Sequence, residues 1–163
     1  MKPPKKLSKR TFETIGWREN VGLPDFGISR VKAKIDTGAR TSALHAEEQQ
    51  RFFRDDQEWV RFLTPVNGKR KLSQVEAQLL GEREIKNTGG IPERRLIVRT
   101  TLLLGRHCWH IEVSLADRKK MEFDLILGRT AIRGRHVLVD PGSSFLAGPP
   151  RMRDAIGKSA ETP

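Results

Sequence analysis

Residues 28–44, ISRVKAKIDTGARTSAL, decide how the rest of this chain is interpreted. Their first half predicts a β-strand, because apolar residues recur among polar ones at a period close to two. These apolar residues are Ile28, Val31, Ala33 and Ile35. The strand runs into Asp36-Thr37-Gly38-Ala39, which supplies a carboxylate, a hydroxyl and a residue without a side chain where the strand must turn. A carboxylate there is held by a stiff element and is open to close approach, so Asp36 is the leading candidate for chemistry.

A second apolar stretch, Leu125-Ile126-Leu127-Gly128-Arg129, also ends in glycine. A nearly continuous apolar run, here from Phe123 to Leu127, is typical of a strand buried on both faces. We expect this strand to pack against the one that ends at Asp36. A short helix is predicted directly after it, around residues 130–133.

The composition indicates one domain with a strongly basic surface. The chain has 163 residues, of which 36% are hydrophobic and 31% charged, and its net charge is +11. That length allows a single core, and that charge favours a polyanionic partner: nucleic acid, a membrane surface or an acidic peptide. A solvated basic surface without a particular partner is the alternative.

The chain predicts a soluble, cytoplasmic protein. Cys108 is the single cysteine, which leaves no disulfide framework and no thiolate zinc cluster. No apolar stretch follows the basic N-terminus MKPPKKLSKR, so no signal peptide is expected. No run approaches the roughly 18 apolar residues of a membrane span.

About seven short strands, separated by turns and with little helical periodicity, indicate an all-β barrel or sandwich. A long hairpin is expected to have its tip at Asn87-Thr88-Gly89-Gly90, and Asn67-Gly68-Lys69 is a second turn signal. Residues 41–53 are ambiguous between a helical turn and a loop. The last strand is expected to stop at Pro141. We divide the chain into a disordered basic arm at 1–11, a domain at 12–147 and a disordered tail at 148–163.

The order of these motifs resembles that of the retropepsin-like aspartic peptidases. More closely, residues 15–146 are similar to a bacterial family known as ATP-dependent zinc proteases, often linked with ATP-grasp glutamate ligases. The resemblance implies an all-β, retropepsin-like closed barrel with a flap hairpin, one short helix after Gly128, and aspartic peptidase activity. The matching segments are Ala33–Ala46, Trp59–Phe62, Leu127–Arg129 and Val139–Pro141.

In such peptidases two aspartates face each other and hold one water. Like charges about 3 Å apart cannot both ionise, so one carboxyl stays protonated while the other accepts a proton from the water. This chain has a single Asp-Thr-Gly, so the resemblance implies a homodimer with one Asp36 from each subunit. It further implies that Thr37 hydrogen-bonds across the two-fold axis and that Gly38 brings its backbone N–H close to the carboxylates.

Other residues receive roles from the same comparison. Gly89-Gly90 resembles the tip of a flap that opens over substrate, although a plain hairpin turn is the alternative. Gly128 is expected to pack against the loop after Asp36. Arg129 is expected to pair with a carboxylate elsewhere, in a structural role.

The predicted cleft is basic. Arg40 stands where an acidic residue is common in the resembled peptidases. Arginine pairs with carboxylates in a bidentate manner, so we expect an acidic peptide substrate, such as an oligoglutamate tail. A solvated charged face is the alternative for each residue taken singly. The predicted substrate-binding residues are Ala39, Arg40, Arg83, Lys86, Gly89, Gly90, Arg94 and Arg95.

The chain predicts neither a metal nor a nucleotide cofactor. It contains no His-Glu-x-x-His, and His107 and His110 should point to opposite faces of a strand. His45 with Glu47 or Glu48 is a weak alternative. Gly157-Lys158-Ser159 is not a P-loop, because the required glycine five residues earlier is replaced by methionine and no strand precedes it.

Two other functions remain open from the sequence: a zinc-dependent peptidase, as the family name says, and a non-catalytic basic β-barrel that binds nucleic acid. Against the latter, the chain has seven Phe, three Trp and no Tyr, so platforms for base stacking are sparse. The region from Thr41 to Leu72 is long for a minimal retropepsin, and it is compatible with covering either the cleft or the outside of the barrel.

Overall fold

The computed structural model of the chain describes residues 11–66 and 69–151. Strands account for 68% of the structure and helices for 5%, which confirms the all-β class. Three predicted features lie wholly or largely outside the described residues: the basic arm at 1–11, the turn at Asn67-Gly68, and the tail at 148–163 with its Gly157-Lys158-Ser159.

Ten strands form one continuous sheet in the described part of the chain. A single turn of 3-10 helix, Pro24–Phe26, follows the first strand, and one α-helix, α1 (Arg129–Ile132), follows the ninth. The strands are β1 (Glu13–Leu23), β2 (Ile28–Asp36), β3 (Ser42–His45), β4 (Glu47–Arg54), β5 (Gln57–Val66), β6 (Lys69–Lys86), β7 (Pro92–Leu104), β8 (His107–Ala116), β9 (Leu125–Gly128) and β10 (Val137–Ser144).

Six of these strands close into a barrel. Neighbouring strands pair in the order β1-β2-β9-β3-β8-β7, and β7 returns to β1 through Val21 opposite Leu104 and Gly22 opposite Leu103. The prediction of a closed barrel is therefore confirmed over that of an open sandwich. From Val31 to Ile35, β2 alternates buried and exposed residues, as its sequence predicts.

The barrel interior is apolar and extends beneath β5 and β6. Phe62 of β5 is fully buried and meets Phe26 edge-on, with ring centroids 5.6 Å apart at an interplanar angle of 89°. That arrangement is the preferred geometry for a pair of aromatic rings. The core thus fixes the 3-10 turn after β1 and, with it, the start of β2.

The sheet continues beyond the barrel through β6, β5 and β4. Residues 41–53, ambiguous in sequence, form the barrel strand β3 and the outermost strand β4. The predicted number of strands, about seven, was too small because these two strands were not recognised in the sequence. Because β4 and β5 pair outward from β6, the part of the long region after β3 lies outside the six-strand barrel.

The prediction that Pro141 ends the last strand is wrong, because β10 continues through it to Ser144. Among the strands of the described residues, β10 lies at the edge of the sheet and pairs with β1 alone. A proline lacks a backbone donor, and an edge strand tolerates that loss on its open side. None of the helices in the described residues has the length and apolarity needed to cross a membrane.

Candidate active site

Asp36 is the last residue of β2, where the strand leaves the barrel. β2 pairs with β1 on one side and runs parallel to β9 on the other, with Asp36 directly opposite Gly128. The two stretches that the sequence singled out are therefore neighbours in the sheet. Side-chain position at a strand end, between two paired strands, is tightly constrained, which suits a group that must be held in place.

The carboxylate of Asp36 organises the turn that follows it. Its Oδ1 accepts hydrogen bonds from the backbone N–H of Gly38 at 3.1 Å and of Ala39 at 3.2 Å. The N–H of Ala39 also points to the Asp36 carbonyl oxygen at 3.1 Å. Among the described residues, Oδ2 accepts no hydrogen bond. One oxygen is thus fixed by the turn and the other is left available.

Gly128 and α1 hold the loop after Asp36 from the far side. A Cβ on Gly128 would lie 2.7 Å from the backbone carbon of Thr41, so only glycine fits without a shift. The N–H of Arg129 donates to the Ala39 carbonyl at 2.8 Å, and the Thr130 hydroxyl donates to the Arg40 carbonyl at 2.6 Å. The start of α1 therefore clamps residues 39–41.

The structure corrects the expectation for Arg129. Its guanidinium donates from Nη1 to the carbonyl oxygen of Gly38 at 3.1 Å and forms no ion pair with a carboxylate of the described residues. Arg129 thus supports the loop after Asp36 directly, by a hydrogen bond to the backbone of that loop. The prediction of a structural role agrees with this contact, while the predicted partner was wrong.

Ser42 is a supporting residue that the sequence analysis missed. It is fully buried at the start of β3, and its hydroxyl accepts the N–H of Gly128 at 3.0 Å. Its carbonyl accepts the hydroxyl of buried Ser114 at 2.8 Å. These bonds connect β9 to β3 and β8 beneath the loop. A lone serine after Arg40-Thr41 gives no sequence signal, because its partners are distant in the chain.

The hairpin of β6 and β7 ends in a turn ordered by one side chain. Asn87 Oδ1 accepts the N–H groups of Gly89 at 2.9 Å and Ile91 at 3.0 Å, and its Nδ2 donates to Glu93 at 2.9 Å. Gly90 has φ of +76°, the left-handed region that favours glycine, whereas Gly89 does not need it. The predicted hairpin and its tip, here called the flap (residues 87–90), are confirmed as structure.

Asp36 and the flap share a cavity of about 300 Å³, here called the Asp36 cavity. Thr88 enters it from the flap, and Lys34 lies two residues before Asp36 on the same strand. A second opening, the basic cleft, measures about 690 Å³ and separates the loop at Gly38–Thr41 from β6. Neither lining includes a residue of β4 or β5. Asp36 therefore borders the cavity under the flap, and the loop that follows it borders the basic cleft.

The structure brings together only part of the predicted substrate-binding set. Ala39, Arg40, Arg83 and Lys86 line the basic cleft, together with Glu84 and Glu112. Gly89 and Gly90 line neither space; Thr88 does so in their place.

The cations of this set differ in their partners. Arg83 pairs with Glu112 at 2.5 Å, Arg94 with Glu82 at 3.1 Å, and Arg95 with Glu93 at 3.1 Å. Arg40 and Lys86 form no ion pair with the described residues. These two are therefore the cations of the cleft that remain open to an external anion.

Arg118, in the loop between β8 and β9, also lines the Asp36 cavity and was not singled out from the sequence. It is 8% exposed. Burial lowers the pKa of its guanidinium, and the neighbouring Arg95 lowers that pKa further, while Asp124 and Asp36 act in the opposite direction. The sequence showed only a polar turn at this point, where charges are ordinarily exposed.

The histidines have partners other than a metal. His45 is buried; its Nδ1 accepts the N–H of Arg118 at 2.8 Å, so its Nε2 carries the proton that Glu47 accepts at 2.9 Å. His107 contacts Glu13, and His110 lies beside Thr101 at 3.4 Å. In the part of the chain that the structure describes, no three His, Cys, Asp or Glu side chains are grouped to hold a metal ion.

Comparison with known proteins assigns the chain to a family. Residues 14–150 match the family model described as RimB-like, "Retropepsin-like aspartic endopeptidase RimB". The Legionella pneumophila protein Lpg0085, a crystal structure of unknown function, superposes with a TM-score of 0.72 at 29% identity, covering 82% of this chain and 97% of that one.

Longer relatives contain a region like this chain. A "Probable alpha-L-glutamate ligase" from Shewanella halifaxensis is 37% identical over 82% of this chain, and one from Parasynechococcus marenigrum is 40% identical over the same share. The chain spans only 30% and 29% of the length of these two relatives. The family match covers most of the described residues, including Asp36, the flap and Gly128. The chain belongs to the RimB-like family of retropepsin-like aspartic endopeptidases.

Proposed function

We propose that this protein is a homodimeric aspartic endopeptidase whose catalytic dyad is formed by Asp36 of each subunit. The observation that carries the proposal is the state of the Asp36 carboxylate. Its Oδ1 is fixed by two backbone N–H groups, and its Oδ2 accepts no hydrogen bond from the described residues. Asp36 also lines a cavity under the flap. That is the arrangement required of a carboxylate that must hold and activate a water.

The proposed reaction follows from two such carboxyl groups facing each other. The ionised one removes a proton from the shared water, whose oxygen attacks the peptide carbonyl carbon. The protonated one hydrogen-bonds the carbonyl oxygen as negative charge develops on it. Collapse of the tetrahedral intermediate breaks the C–N bond, and the departing amine takes a proton from the dyad.

The proposed dyad requires two copies of the chain. One Asp-Thr-Gly occurs in the chain, so the second carboxylate must come from another copy related by a two-fold axis. Thr37 is exposed at the turn, and it makes no hydrogen bond with the described residues. We propose that its hydroxyl contacts the partner subunit and fixes the distance between the two carboxylates.

We further propose that the substrate is an acidic, glutamate-rich peptide. Arg40 and Lys86 line the basic cleft and have no carboxylate partner among the described residues, so an acidic side chain of the substrate would supply one. Relatives named for glutamate ligation contain a region similar to this chain, which supports a glutamate-containing substrate. A reducing, cytoplasmic location fits a chain with a single cysteine.

The test is hydrolysis of a glutamate-rich peptide by the wild type and by Asp36→Asn, which keeps the size of the side chain. We expect Asp36→Asn to abolish cleavage. Asp56→Asn, an exposed substitution at positive φ in the β4–β5 turn, is the matched control and should leave the rate unchanged. Undiminished cleavage by Asp36→Asn would reject the mechanism.

Two further measurements address the dimer and the alternatives. Sedimentation should show a dimer under assay conditions, and an active monomer would contradict the shared dyad. Equal rates on glutamate-rich and glutamine-rich peptides would reject the acidic substrate. Loss of activity with a chelator, together with an active Asp36→Asn, would instead support a zinc-dependent peptidase.

A further inference from the structure

Arg118 is an arginine that lies almost wholly inside the protein. It is 8% exposed, although it belongs to a connecting loop. Arginine is rarely buried unless it is paired, because desolvating a cation costs several kcal/mol by general estimates. Its presence beside the proposed catalytic carboxylate therefore requires an explanation.

The side chain and backbone of Arg118 are held at two points. Its Nε donates to the carbonyl oxygen of Phe123 at 2.9 Å, across the same loop. Its backbone N–H donates to Nδ1 of His45, which is itself buried and bonded to Glu47. The guanidinium is thus presented from a fixed position and loses little conformational freedom when it meets a ligand.

The outer nitrogens of this guanidinium have no partner within residues 11–66 and 69–151. Neither Nη donates a hydrogen bond there, and no carboxylate lies within 4.0 Å. Asp36 and Asp124 act on it only at longer range. Arginine nevertheless keeps its charge at neutral pH. The structure therefore holds a largely buried cation whose two Nη groups have no partner among the described residues.

The cavity that Arg118 lines has the shape and chemistry for an acidic side chain with an aliphatic stem. Trp17, Phe123 and Ile126 give it apolar walls, and Lys34 adds a second cation. Its acidic lining residues are Asp36 and Glu122. A volume of about 300 Å³ is enough for one side chain of glutamate size.

We propose that Arg118 is a specificity-determining residue, whose guanidinium pairs with the carboxylate of a glutamate side chain seated in the Asp36 cavity. This inference rests on the peptidase function proposed above and adds to it a position: the acidic side chain lies next to the scissile bond. It is distinct from the basic cleft, where Arg40 and Lys86 would contact more distant parts of an acidic chain.

The first test compares a glutamate-rich peptide with variants in which single glutamates are replaced by glutamine. A site built around a charged donor rejects the neutral isostere, so one peptide position should dominate, with kcat/KM falling at least about tenfold. In Arg118→Met, which retains a long apolar stem, the ratio of rates at that position should approach one. Arg118→Lys keeps the charge but not the fork and should give an intermediate ratio.

The matched control is Arg106→Met, which removes the same charge at an exposed residue of the β7–β8 turn. It should preserve the preference for glutamate. If Arg118→Met slows the glutamate and glutamine peptides equally and keeps their ratio, Arg118 is only a structural cation and the proposal is overturned.

A second measurement leaves Arg118 intact and separates this proposal from the peptidase function. Side-chain N–H signals of labelled arginines are followed by NMR in Asp36→Asn while glutamate-rich or glutamine-rich peptide is added. We expect the Arg118 signals to shift with the glutamate peptide alone. An absence of shift at saturating peptide overturns the subsite; a shift in a protein whose wild type cleaves neither peptide would retain the subsite and reject the peptidase.

Discussion

Asp36 and Gly128 stand directly opposite each other in the parallel pairing of β2 with β9. The missing side chain of Gly128 lets the backbone at Arg40 and Thr41 fold over the end of β9; a Cβ would lie 2.7 Å from Thr41 and 2.9 Å from Arg40. The loop that supplies the hydrogen bonds to Asp36 therefore depends on the absence of a side chain at Gly128, on the adjacent strand. We therefore expect stability and the proposed activity to be coupled at this point.

The first prediction concerns Gly128→Ala. Overpacking against backbone forces a shift, and we expect a loss of about 1–3 kcal/mol in the free energy of unfolding. Because the displaced segment carries the turn at Gly38 and Ala39, hydrolysis should fall further than the loss of folded protein explains. Urea unfolding and kcat measured on folded protein test this.

The control for that substitution is Gly142→Ala in β10. A Cβ there meets only the Asp140 carboxylate at 3.5 Å, an ordinary contact. We expect a change close to zero in both measurements. Equal effects of the two substitutions would mean that Gly128 has no special role.

Strands with an alternating sequence could be predicted from the sequence. Strands that form only because they pair with a neighbouring strand could not. β2 buries every second residue from Val31 to Ile35, so its period was visible. In contrast, β4 has the sequence EEQQRFFR and no buried residue, because it exists only by pairing with β5 at the outer edge of the sheet. A strand that contributes no face to the core leaves no periodic signal.

The same distinction applies to the charged residues of the candidate site. The motif at Asp36 was visible in the sequence, because the turn that orders it is formed by consecutive residues. The pairing of Arg83 with Glu112 and the burial of Arg118 depend on strands brought together by the barrel. Sequence alone therefore singled out Asp36 as the candidate acid, and it overestimated the number of unpaired cations around the candidate site.

The second prediction concerns order in the flap. Asn87 supplies two acceptor bonds to the turn and one donor bond to Glu93, so Asn87→Ala should loosen the tip. We expect faster amide hydrogen exchange at Gly89 and Ile91 and about 1 kcal/mol of lost stability. Thr88→Ala is the control, because no hydrogen bond of the turn uses that side chain; similar exchange in the two variants would refute the assignment.

The third prediction concerns Glu19, a fully buried carboxylate of β1. Its oxygens accept the backbone N–H groups of Gly16 at 2.7 Å, Leu146 at 2.8 Å and Ala147 at 3.0 Å. Glu19→Ala leaves three donors without an acceptor, and each charged bond is worth about 1.5–3 kcal/mol, so unfolding should become easier by at least 3 kcal/mol. Exposed Glu84→Ala should have little effect. A small loss at Glu19 would show that water replaces the carboxylate.

The last prediction concerns acid, and its sign follows from the ion pairs of the outer sheet. A hydrogen bond from Arg54 lowers the pKa of Glu76, and one from Arg94 lowers that of Glu82. Their folded pKa values lie below the unfolded ones, so their stabilisation is fully present above about pH 4.3 and is lost as pH falls through the folded values. We expect the urea midpoint to be flat near neutrality and to decline below about pH 4.5. The decline should be modest, because these pairs are partly exposed and screened by salt. The double variant with Glu76→Gln and Glu82→Gln should start lower and fall less steeply; an equal slope in both proteins would show that other carboxylates control acid unfolding.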